Sequence, residues 1–127
     1  MDHEEAVIRA FIIPARRERY LEFLKSPKKR AKLRAALAHF KALNPKFAVS
    51  IPPSQQNPSS ALKLLTAKGA GSRCWVISED SQMDGQEWDL ETALSATIGQ
   101  GMGTFISCVP GKLAYFEDED VRHILQR

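Results

Sequence analysis

Gly99–Phe116, "GQGMGTFISCVPGKLAYF", is the stretch on which the fold turns. Three glycines at alternate positions precede a β-branched and aromatic run, and a Pro-Gly pair separates that run from a second one. A phosphate-binding glycine loop follows a strand and opens a helix, which aims backbone N–H groups and the helix dipole at the anion. Here the order is reversed. The glycines follow an amphipathic segment carrying Leu90, Ala93, Leu94, Thr97 and Ile98, and they lead into a strand. Gly99 therefore reads as the left-handed residue just past a helix, with Gly101 and Gly103 allowing a tight re-entry into a sheet. Thr104–Val109 and Leu113–Phe116 read as a hairpin whose type II turn is centred on Pro110-Gly111.

On either side of this block the pattern continues. Cys74–Ser78 predicts another strand, and Asp89 caps the helix that runs into the glycines. After the hairpin, Asp118 or Asp120 is expected to start a last helix holding Val121, Ile124 and Leu125. Strand, helix, hairpin and helix make a βαββα unit. Ahead of it, Ser59 or Ser60 caps a short helix to Lys68, closed by Gly69. Residues 51–58, "IPPSQQNP", suit neither helix nor central strand and predict a surface loop of polyproline II character.

The N-terminal third is helical in its spacing. Ser26-Pro27 is a cap followed by proline at the first helical position, and Leu33, Ala36, Leu37 and Phe40 give Pro27–Ala42 one apolar face. Pro14 opens a preceding helix to about Lys25, with Tyr20, Leu21, Phe23 and Leu24 on its apolar side. Ala6–Ile13 is rich in β-branched residues and is expected as a strand, with a short helix capped by Asp2 as the alternative. The fold class is α+β: N-terminal helices packed with a small mixed sheet. A chain of 127 residues is the ordinary size of one domain, and 43% hydrophobic and 26% charged residues are ordinary globular usage. The expectation is a single domain over 1–127, comprising a basic helical half (1–50), the Pro-rich loop (51–58) and an acidic α/β half (59–127).

Charge is where the sequence points to function. The net charge of +3 conceals twelve Lys and Arg against five Asp and Glu in residues 1–50, and six against ten in residues 51–127. Arg16, Arg17 and Arg19 fall on one helix, and Lys28, Lys29, Arg30, Lys32 and Arg34 crowd the start of the next. Cations at a helix N-terminus oppose the macrodipole, so these charges invite a role beyond folding. One reading is a non-catalytic binding module whose basic helical face contacts an acidic macromolecule, nucleic acid or protein, through phosphate or carboxylate contacts. A solvated surface that pairs with the acidic half is the plainer alternative.

The second functional reading is a small phosphoester hydrolase dependent on a divalent metal. Glu79, Asp80, Asp84 and Glu87 gather after a strand, where carboxylates hold Mg²⁺ or Ca²⁺ and divide acid and base roles. Their spacing is not that of a dedicated calcium loop, and the preferred expectation is no metal and no cofactor. Cys74 and Cys108 lie in strands, where a thiol acts as a small hydrophobe, and no Cys-x-x-Cys or paired-histidine spacing suggests zinc. No apolar run approaches the roughly 20 residues that cross a bilayer, and no basic leader precedes Ala10–Ile13, so a cytoplasmic protein without a membrane partner is expected. Nothing in the residues specifies an oligomeric state.

Overall fold

The computed structural model describes residues 2–127 as five helices and a six-stranded antiparallel sheet. The helices are α1 (His3–Phe11), α2 (Pro14–Phe23), α3 (Pro27–Leu37), α4 (Pro58–Ala67) and α5 (Leu90–Thr97). The strands are β1 (Ala48–Ser50), β2 (Arg73–Ser78), β3 (Gln86–Asp89), β4 (Thr104–Val109), β5 (Leu113–Glu117) and β6 (Arg122–Gln126), in the order β1-β6-β5-β4-β2-β3. The class is α+β, with three helices before the sheet. Every pairing is antiparallel, where a mixed sheet was expected.

Both sheet faces are covered, which explains why the central strands are apolar throughout rather than alternating. Ile77, Phe105, Ala114, Phe116 and Leu125 meet α1, α2 and α3 on one face. Val76, Ile106, Leu113, Tyr115 and Ile124 meet α4 and α5 on the other. The period-2 alternation of strands survives as a division between two cores instead of core and solvent.

The expected hairpin is present, with Val109 accepting from the Lys112 amide at 2.9 Å and Gly111 at φ +71. Gly99 is left-handed at φ +90, and Gly101 follows at φ +71. Asp89 caps α5 by accepting from the Thr92 amide at 3.0 Å. The Cβ that Gly103 lacks would collide with the Leu37 carbonyl, so the glycine lets the chain entering β4 touch the end of α3 backbone to backbone.

Four further expectations are corrected. Ala6–Ile13 is not a strand: Asp2 caps α1 through the Glu4 amide, and Val7, Ile8, Ala10 and Phe11 share its buried side. Spacing outweighed β-branched content there, and only Ile12 makes an isolated bridge, to Leu43. The last element is a strand rather than a helix. Val121, Ile124 and Leu125 suit either period, but β5 has an open edge that β6 fills, and Asp118 accepts from Asp120 and Val121 amides to form the turn between them. Helix α3 stops at Leu37 rather than Ala42, because Ala38 is extended and His39 left-handed at φ +51. Finally, Asn57 rather than a serine caps α4, with Pro58 at its first position. Strands β1 and β3 were not foreseen; Glu87 lies on the latter.

Candidate anion-binding cleft

Helices α2 and α3 are joined by Leu24, Lys25 and Ser26 alone, so they lie side by side. The Ser26 hydroxyl accepts from the Lys29 amide and starts α3 sharply. Arg16, Arg19, Tyr20 and Phe23 recur at helical spacing on one side of α2, facing Lys32, Ala35 and Ala36 of α3. Two alanines opposite two aromatic rings leave the helices unfilled between them. The result is an open cleft of about 410 Å³, completed by His39 and Lys41 just beyond α3.

Its floor and walls differ in chemistry. Tyr20 and Phe23 are buried edge to face, and Tyr20 meets Phe40 in the same way. Arg19 lies over the Phe23 ring with its guanidinium carbon 5.7 Å from the centroid, which orients an otherwise mobile side chain. Arg16, Arg19, Lys32 and Lys41 place four cations along one cleft, and among the described residues no carboxylate lines it. On its far side, His39 stands 3.5 Å from Glu119 and 3.6 Å from Asp120, on opposite ring nitrogens.

The eight cations singled out in the sequence divide into groups. Arg16, Arg19 and Lys32 enter the cleft. Lys28 is exposed at the start of α3 and does not line it. Lys29 pairs with Glu22, and together with Lys25 it holds that carboxyl down to about 2. Arg30 is withdrawn from the surface into a bridge between Glu4 and Asp84, donating two hydrogen bonds to each. Arg17 and Arg34 are half-buried outside the cleft, each with an unpartnered Nε. His39 and Lys41 are the cleft residues that sequence reasoning missed. Their signal was faint: Lys32, Ala36 and His39 continue one helical face past the point where the helix itself ends.

The four carboxylates of the metal reading are each engaged separately. Glu79 accepts from the Gly103 amide, and Asp80 from the Gln82 amide at 2.9 Å. Asp84 takes Arg30 and the Ser78 amide, while Glu87 pairs with Arg73 in the open. Among the described residues, the one set of three or more His, Cys, Asp or Glu side chains with ligand atoms within 4.8 Å of one another is His39, Glu119 and Asp120, all exposed. Nor do the glycines of residues 99–103 cradle an external anion. The Gly99 and Gly101 amides donate to Glu117, which is fully buried and also accepts from the Tyr115 hydroxyl at 2.7 Å. No described helix is long and apolar enough to cross a membrane. No protein-family model, curated protein or solved structure matches this chain.

Proposed function

We propose that the protein is a non-catalytic binding module whose α2–α3 cleft takes the phosphate backbone of a nucleic acid. The observation that carries this reading is the convergence of four cations on a cleft in whose lining, among the described residues, there is no carboxylate. Arginine forks and lysine ammoniums recognise phosphate oxygens without reading bases, and the released counterions drive association. An acidic protein is the less suited partner. Protein interfaces are anchored by exposed aromatic or aliphatic side chains. The large exposed hydrophobics among the described residues are Val49 and Met102, and neither lines the cleft.

The test is fluorescence anisotropy with labelled single-stranded and duplex oligonucleotides across a salt series. Binding should weaken steeply with salt and depend little on sequence. Arg19→Ala should lower affinity about tenfold and reduce the log–log salt slope by about 0.7–0.9, one phosphate contact. Lys28→Ala, outside the cleft, should change affinity much less. If neither probe binds at low salt, the nucleic-acid assignment is wrong; binding of a poly-glutamate peptide instead would assign the cleft to acidic proteins.

A further inference from the structure

Strands β2 and β4 pair in an uninterrupted register of Trp75 with Ser107, Val76 with Ile106, Ile77 with Phe105 and Ser78 with Thr104. The paired register ends at Trp75 and Ser107, and Cys74 and Cys108 are the next residues out on these neighbouring strands, at the point where β4 bulges between Ser107 and Val109. The two side chains also share a face, since both belong to the core cluster beneath α4 and α5. Opposed residues of an antiparallel pair have Cα atoms about 4.5–5.5 Å apart, so one step past the last such pair the 4.4–6.8 Å span of a disulfide is within reach. Both thiols are free. Each makes only a weak sulfur contact, Cys74 Sγ to the Trp88 carbonyl at 3.5 Å and Cys108 Sγ to the Ile106 carbonyl at 3.8 Å. Turning them toward each other costs little hydrogen bonding.

We infer that Cys74 and Cys108 form a redox modification site, a resting dithiol that closes into a disulfide across β2 and β4 when a small peroxide enters the core. One thiol gives up its proton, and hydrogen peroxide transfers one oxygen to the resulting thiolate, giving a sulfenic acid and a hydroxide that takes that proton as the first water. The second thiol then attacks that sulfur, the S–S bond forms, and the departing hydroxide takes the thiol proton as a second water. Two sulfurs give up two electrons and one peroxide is reduced. Burial pushes both thiols up to about 12, which keeps thiolate scarce and the resting protein reduced. The closed form ties the middle of the sheet to the strand that leads toward its β3 edge.

The experiment exposes folded wild-type protein to hydrogen peroxide, alkylates remaining thiols in denaturant and reads intact mass and unreduced peptides. The expected product is a monomer lighter by two hydrogens, unalkylated, with one peptide linking Cys74 to Cys108, reversed by dithiothreitol. Cys74→Ser and Cys108→Ser should each abolish that loss. Equilibration with glutathione buffers should favour the disulfide in the folded chain at least tenfold over the same chain in denaturant, because folding supplies the proximity. Two alkylatable thiols after exhaustive oxidation, oxidation only to sulfinic acid or intermolecular dimers, or a disulfide no more favoured in the folded chain would each overturn the assignment.

Discussion

Gly103 has the Leu37 carbonyl where a side chain would begin. Substitution there must push α3 off β4. Gly103→Ala should therefore destabilise the protein by about 1–3 kcal/mol, measured by urea denaturation, while Gly71→Ala, with open space around it, should do far less. His3 is the residue on which acid sensitivity turns. It pairs through Nδ1 with the buried Ser107 hydroxyl at 2.7 Å and stacks on Trp75, and desolvation lowers its pKa from the usual 6.5. Burial lowers His123 in the same direction. The unfolded chain then binds protons that the folded one refuses, so stability is full above the unfolded value near 6.5 and falls as pH drops from there through the folded values. Denaturation midpoints from pH 7.5 to 5 should fall, and His3→Gln should flatten part of the slope.

Elements are joined by a small number of ionic clips. Arg30 ties α3 to α1 through Glu4 and to the β2–β3 loop through Asp84, and Glu4 also accepts from the Trp75 indole at 2.9 Å. Removing the guanidinium leaves two largely buried carboxylates without their cation, so Arg30→Ala should cost about 3 kcal/mol in chemical denaturation. Arg30→Lys should recover only part, since an ammonium cannot fork to both partners. Such clips were illegible in the sequence. Arg30 read as one of a run of surface cations, and only folding shows that residue 84 comes to meet it. The hairpin was legible because Pro110-Gly111 and the two runs beside it agree at every level of local preference. The α5 boundaries were legible from Asp89 and Gly99 for the same reason. At β6 and α1, local patterns fitted both periods, and a distant edge or core decided between them. The cleft was half legible: Arg16, Arg19 and Lys32 carry it, but its emptiness depends on Ala35 and Ala36 facing Tyr20 and Phe23 across two helices.

At the scale of the whole molecule, the charge imbalance between the two halves has two outcomes. Part of it is cancelled within the fold, as Arg30 with Asp84 shows, and part is left as the cationic cleft. The halves are also interleaved by the sheet itself. Strand β1, from the basic half, hydrogen-bonds only to β6, pairing Ala48 with Leu125, Val49 with Ile124 and Ser50 with His123. Loop closure between such distant segments carries an entropic cost that local contacts do not share. As the polypeptide leaves the ribosome, β1 emerges long before its partner exists and must wait, edge open, while nearly all of the intervening residues are added. Helices α1 to α3 wait with it, since Phe105, Phe116 and Leu125 of their core are made long after them. The nascent basic half is therefore a helical segment without its sheet until β6 has been made, and assembly of the sheet on the helices is a near-simultaneous event rather than a progressive one.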